Sequence, residues 1–170
     1  GPLLAGNAVI RKPAEPSRGI AYRFYQLMLE VGFPADAVQV LPGPGEVVGA
    51  ALVRDPRVHI INFTGSRPVG LEILKEASIV RPGQKHIKKV VCELGGKNAL
   101  IIDEDADLDE AVMSTLRSAF GFQGQKCSAA SRVIVIDTAY HSFQAGTTQA
   151  FSAIKYGPAT DFDHPLPRVR

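Results

Sequence analysis

Short apolar runs bounded by turn residues recur along the chain, and most are followed by a segment with helical periodicity. This alternation limits the fold more than any other feature, because strands separated by helices pair in parallel and need crossovers. Asn7–Lys12 reads as a strand stopped by Pro13. Ser17 can cap a helix whose apolar face carries Ile20, Ala21, Phe24, Leu27, Met28 and Val31, ended by Gly32 and Pro34. Strands follow at Val38–Leu41 and Val58–Phe63, each with a helix behind it, the first carrying Val47, Val48, Ala51 and Leu52 and the second reaching about Ala77. Val90–Leu94 and Asn98–Ile102 are two further strands, separated by Gly95-Gly96. Asp105 or Asp107 can start a helix to about Phe120, Val133–Ile136 reads as a strand, and a weaker helix covers 138–155. Pro158, Pro165 and Pro167 predict an irregular end. The pattern predicts an α/β architecture with a parallel sheet and a domain boundary near Gly95-Gly96, where adjacent glycines let the chain turn cheaply.

Composition narrows the function classes. The chain has 170 residues, 45 % of them hydrophobic and 21 % charged. That suits one ordinary domain or parts of two. A net charge of +2, from 19 basic and 17 acidic residues, argues against nucleic acid or a membrane surface as partner. No apolar run approaches the roughly 20 residues of a membrane span. Gly1–Asn7 lacks the plan of a signal peptide and begins without Met, so residue 1 need not be the natural start. Cys92 and Cys127 are too few for a disulfide framework or a zinc site, which points to a reducing, cytoplasmic setting.

Several constellations offer chemistry. Gly43-Pro44-Gly45-Glu46-Val47-Val48-Gly49 lies between a strand and a helix and has one residue too many for the usual dinucleotide fingerprint. Its glycines allow a diphosphate to approach a helix N-terminus; the plain alternative is a tight βα turn. Thr64-Gly65-Ser66 also follows a strand, where parallel sheets bind ligands, although Ser66 can equally be a helix cap. Lys12 and Glu15, after the first strand, can hydrogen-bond a ribose or simply face water. Glu93 stands in an apolar run, where burial raises a carboxyl pKa and suits a general base; the alternative is an edge position facing water. Cys92, its neighbour, reads as a core thiol. Cys127 lies in a polar loop, Gln123-Gly124-Gln125-Lys126-Cys127-Ser128, beside a lysine and followed by backbone N–H groups suited to an oxyanion. No Cys–His pair is evident, and an incidental loop cysteine remains the alternative.

Taken in order, Lys12-Pro13-Ala14-Glu15, Gly45 with Gly49, Phe63-Thr64-Gly65-Ser66, Glu93-Leu94-Gly95-Gly96-Lys97-Asn98 and Gly124-Gln125-Lys126-Cys127 resemble the aldehyde dehydrogenase superfamily from Gly6 to about Pro158. Ile79–Gln84 and Phe120–Arg132 are similar to the branch that oxidises glutamate 5-semialdehyde (1-pyrroline-5-carboxylate) in proline breakdown. The resemblance implies a Rossmann-like parallel sheet with helices on both faces over residues 1–95, a partial NAD-binding domain. Residues 96–170 would begin a second α/β domain carrying the nucleophile. It implies that Cys127 attacks the aldehyde, that Glu93 activates water, and that Ser128 touches the substrate. Lys12 and Glu15 would hold the adenosine ribose of NAD. Gly45, Gly49, Thr64, Gly65, Ser66, Leu94 and Gly95 would complete the cofactor set. A small-molecule aldehyde is the implied substrate and a homo-oligomer the implied full-length assembly. Family members are longer. The asparagine completing their oxyanion hole lies before the segment matching residue 1, and a second ribose-binding glutamate lies after the segment matching residue 170. Phe162–Arg170 follows the family only loosely. Two further expectations stay open: a non-catalytic piece that binds cofactor or docks on a longer homologue, and an enzyme for another aldehyde.

Overall fold

The computed structural model describes residues 1–158 and 166–167. The expected irregular stretch at Pro165 and most of Phe162–Arg170 lie outside the described residues. The elements are β1 (Val9–Arg11), α1 (Arg18–Glu30), β2 (Val38–Val40), α2 (Ala50–Arg54), β3 (Ile60–Gly65), α3 (Arg67–Ala77), β4 (Lys89–Leu94), β5 (Asn98–Ile102), α4 (Leu108–Phe120), β6 (Ala130–Val135), α5 (Asp137–Ser152), β7 (Tyr156–Gly157) and β8 (Leu166–Pro167). A π-helical turn over Gly45–Gly49 leads into α2. The architecture is α/β with parallel pairing, as the alternation predicts. The strands come as two-stranded sheets: β1 with β2, β3 with β4, β5 with β6, and β7 with β8. The first, third and fourth pairs are parallel.

The chain divides into two compact units, Gly1–Thr64 with Pro68–Cys92, and Gly65–Arg67 with Glu93–Arg170. In the first unit, β1 and β2 register Val9 against Val38 and Arg11 against Val40. Its buried apolar side chains are small: Ala21, Val38, Val53 and Ala77. The apolar stripe expected on α1 is only partly used. Ala21 is buried, but Ile20 and Val31 are more than two-thirds exposed, at 72 % and 73 %. Ser17 does not cap α1 with its side chain; its hydroxyl donates instead to the Ala14 carbonyl at 3.2 Å. A short 3₁₀ turn over Glu15–Ser17 feeds the helix directly, so the first turn is already formed where a cap would act. Lys88 is buried, and its ammonium donates to the Asp55 and Val58 carbonyls at 2.5 and 2.7 Å. It ties the approach to β3 to the approach to β4. Desolvation pushes the lysine below its ordinary pKa, the Asp55 carboxylate partly opposing this.

The second unit has a continuous core. Ile102, Val112, Leu116 and Phe143 are buried together, with Leu108, Ala111, Phe120, Val133, Val135, Ala150 and Ile154 packed around them. Strand alternation explains the selection: Leu100 and Ile102 of β5 and Val133 and Val135 of β6 are the more buried positions, whereas Ile101 and Ile134 are exposed. α4 begins at Asp107, whose carboxylate accepts from the Asp109 and Glu110 N–H groups, both at 3.1 Å. Among the described residues no helix is long and apolar enough to cross a membrane. Asp107→Ala is expected to cost about 1 kcal/mol, the ordinary worth of an N-cap side chain. Urea unfolding followed by circular dichroism should show a lower midpoint with an unchanged slope.

Candidate functional site

Lys12, Glu15 and Gly45 form one constellation in the first unit. Lys12 follows the C-terminal end of β1, and buried Pro13 directs the chain into the turn that carries Glu15. Glu15 Oε1 accepts from Lys12 Nζ at 3.3 Å and from the Gly45 N–H at 2.9 Å. One carboxylate oxygen thus joins the strand end to the π-helical turn thirty residues later in sequence. Its own backbone N–H, the Lys12 ammonium and the Gly45 N–H, in that order, hold the Glu15 carboxyl below its ordinary value of 4.5.

The glycines of this turn separate into two kinds. Gly43 has φ +150°, and a Cβ there would collide with Val48 Cγ2, so the fold itself requires glycine. Gly45 and Gly49 have no such demand: a Cβ at either would meet only the Lys12 side chain, at 3.7 and 4.0 Å. Their bare Cα atoms leave the turn open to a ligand. Three N–H groups at this helix start already have partners. Gly45 donates to Glu15, and Val47 and Val48 donate to the Pro44 carbonyl at 3.2 and 2.8 Å. An anion here would meet chiefly the dipole and the Lys12 charge. A carboxylate beside an ammonium, flanked by an uncrowded turn, suits a ligand bearing paired hydroxyls.

Thr64 and Gly65 close β3, and Ser66 stands between β3 and α3; all three are exposed. Glu93 is exposed on β4, so the burial expected for it is not found, and the alternative in which it faces water holds. The cause is the alternation of the strand, in which Val90, Cys92 and Leu94 are the less exposed positions. Cys92 is half-buried rather than enclosed, with its thiol 3.9 Å from the Gly70 carbonyl. Leu94 ends β4, and a Cβ at Gly95 would meet nothing within 4 Å.

Cys127 and Ser128 are exposed in the loop between α4 and β6. Three consecutive residues before them, Phe122, Gln123 and Gly124, have positive φ of 55°, 55° and 68°. Two non-glycine residues in the left-handed region are strained, and such strain gathers where the chain must present a group in one direction. A Cβ at Gly124 would stand 2.9 Å from the Ala119 carbonyl oxygen, so this position demands glycine on two counts. Beyond the cysteine, the Asn98 carboxamide donates to the Cys127 carbonyl at 2.7 Å and to the Ala129 carbonyl at 3.1 Å. The Ser131 hydroxyl donates to the Asn98 carbonyl at 3.2 Å, and the Ala130 N–H donates to Ser118 Oγ at 3.1 Å. Asn98 stands in the Glu93–Asn98 motif and at the start of a strand, but neither it nor Ser118 is legible as a site residue in the sequence. No cluster of three metal-ligating side chains occurs among the described residues.

A family model described as the aldehyde dehydrogenase family matches residues 1–166. A 1-pyrroline-5-carboxylate dehydrogenase of a Geobacillus species is 42 % identical over 159 residues, 94 % of this chain and 31 % of the relative. One from Geobacillus thermodenitrificans is 47 % identical over 138 residues, 81 % of this chain and 27 % of the relative. The chain therefore spans less than a third of these relatives' length. The crystal structure of a Thermus 1-pyrroline-5-carboxylate dehydrogenase with bound NAD superposes with a TM-score of 0.92 at 45 % identity, covering 96 % of this chain and 32 % of that one. An NADP-dependent enzyme of E. coli superposes with a TM-score of 0.89 at 35 % identity, covering 96 % of this chain and 33 % of that one.

Two outcomes follow from the geometry. Gly124→Ala should destabilise the chain by about 1–2 kcal/mol from the left-handed φ alone, with the Ala119 contact adding to it; denaturant midpoints measure the loss. Because Glu15 ionises more readily in the folded chain, its stabilising contribution is present above pH 4.5 and fades as pH falls through its lowered value. The stability difference between wild type and Glu15→Gln should shrink on acidification from pH 7 to pH 3, as followed by thermal unfolding.

Proposed function

The chain belongs to the aldehyde dehydrogenase family, and from that premise we propose that the protein oxidises glutamate 5-semialdehyde, the open form of 1-pyrroline-5-carboxylate, to glutamate with NAD. The observation that carries the reading is Cys127, exposed in a loop that a left-handed turn delivers from one side and Asn98 holds from the other. The shared name of the relatives supports the choice of aldehyde.

In this reading Cys127 Sγ, as thiolate, attacks the aldehyde carbon and forms the C–S bond of a thiohemiacetal. Backbone N–H groups at the cysteine stabilise the oxyanion. NAD, when bound, accepts the hydride, and the carbon stays on Cys127 as a thioester. Glu93 then takes a proton from a water molecule that attacks the thioester, releasing the carboxylate product and the thiolate. An exposed Glu93 on a strand end is free to meet that water. Ser128, next to the nucleophile, contacts the substrate.

Lys12 and Glu15 hold the adenosine ribose, where the Glu15 carboxylate disfavours a 2′-phosphate and so favours NAD over NADP. Gly45 and Gly49 leave room for the diphosphate, which Thr64, Gly65 and Ser66 help to bind. Leu94 and Gly95 complete the cofactor set. The same reading makes residues 1–95 part of a cofactor domain and 96–170 part of a catalytic domain, and it includes assembly as a homo-oligomer. In the protein as its source makes it, Cys127→Ala should abolish NADH formation from glutamate 5-semialdehyde. Glu93→Gln should keep a first-turnover burst of NADH while slowing steady turnover by about 10²–10⁴-fold. Faster turnover on simple aliphatic aldehydes would move the substrate assignment elsewhere in the family.

A further inference from the structure

The parallel pair β5–β6 contains an irregularity beside the nucleophile. Asn98 registers against Ala130, but Ala99 registers against Arg132, so Ser131 is one residue too many on β6. Such bulges interrupt a ladder and re-aim the neighbouring chain. Here the interruption is bridged by side chains. The two N–H bonds of the Asn98 carboxamide go to the Cys127 and Ala129 carbonyls. Ser131 Oγ–H returns to the Asn98 carbonyl, and Ser118 of α4 receives the Ala130 N–H.

We propose that Asn98 is a positioning residue for Cys127: its carboxamide clasps the Cys127 and Ala129 carbonyls at the bulge and fixes the Cys127–Ser128 peptide plane beside the thiol. The inference rests on the reading of Cys127 as nucleophile. A peptide unit is planar, so pinning the Cys127 carbonyl also sets the direction of the Ser128 N–H on the opposite side. A carbonyl that accepts a hydrogen bond also polarises its own peptide and strengthens that N–H as a donor. Asn98 is exposed, so water can solvate both carbonyls if the carboxamide is lost. The clasp is therefore not required to satisfy buried groups. What only the carboxamide supplies is a fixed direction.

This separates two reactions of one thiol. Attack on a carbonyl carbon develops an oxyanion and depends on the neighbouring donors, whereas alkylation by iodoacetamide needs only an accessible thiolate. The test treats the full chain with 4-nitrophenyl acetate, whose acetyl group passes to Cys127 Sγ as 4-nitrophenolate leaves, and in parallel with iodoacetamide. Labelling of Cys127 and Cys92 is followed by peptide mass spectrometry. Asn98→Ala, and Asn98→Leu of similar size without the donor, should lower the acetylation rate of Cys127 about tenfold or more. Alkylation of Cys127 and labelling of half-buried Cys92 should stay near wild type. If Asn98→Ala exposes Cys92 through unfolding, the Asn98→Leu comparison decides. Unchanged acetylation, or acetylation and alkylation falling together, overturns the positioning role while leaving the nucleophile in place. Absence of acetylation at Cys127 in the wild type overturns the nucleophile reading and this inference with it.

Discussion

The parallel pairing of β5 with β6 governs where the Cys127 loop stands. Both strands place alternate residues on the buried face, so Ile102, Val133 and Val135 meet Val112, Leu116 and Phe143 from the helices. That packing holds the C-terminal end of α4 relative to the start of β6. The chain has only the short stretch between Phe120 and Ala130 in which to turn back. Left-handed φ values at Phe122, Gln123 and Gly124 make the reversal within that length, at a conformational cost the core must offset. Cys127 follows this reversal and is exposed.

At the other constellation, charge organises the backbone more than burial does. Glu15 is about half exposed, and its pairing with Lys12 alone would contribute little in water. Its second acceptor role, toward the Gly45 N–H, converts a surface pair into a link between distant segments. That link consumes one of the N–H donors an incoming anion would otherwise use. The turn is thus shaped by Glu15 before any ligand arrives, and Gly45 and Gly49 contribute by having no side chain on the open face.

Local periodicity and turn chemistry were enough to locate most elements, because Asp107, Gly32 and the β-branched runs act through neighbours close in sequence. β5 runs over Asn98–Ile102 as expected, and α4 starts just after Asp107. Properties set by distant partners were less legible. Ser17 looks like a cap until the preceding 3₁₀ turn takes its hydroxyl. Glu93 looks buried because its neighbours are apolar, yet strand alternation turns it outward. Gly43 and Gly45 look equivalent in the sequence; only the position of Val48 shows that the first serves the fold. The hydrogen bonds of Asn98, although it stands in the Glu93–Asn98 motif, are not legible, since they form at a one-residue slip between strands that no pattern along the chain records.

The strained turn and the Asn98 clasp act on opposite sides of the same cysteine, and neither is sufficient alone. A left-handed turn sets the direction in which the chain arrives but does not reach the Cys127–Ser128 peptide. A clasp on the Cys127 carbonyl fixes the following peptide but not the approach. Together they constrain the chain on both sides of Cys127. A nucleophile benefits from that arrangement, because attack on a carbonyl requires the sulfur and the stabilising N–H groups to be correct relative to each other. An incidental surface cysteine would gain nothing from left-handed strain on one side and a bridged bulge on the other. Constraint gathered around an exposed thiol is therefore the physical reason for placing the chemistry there.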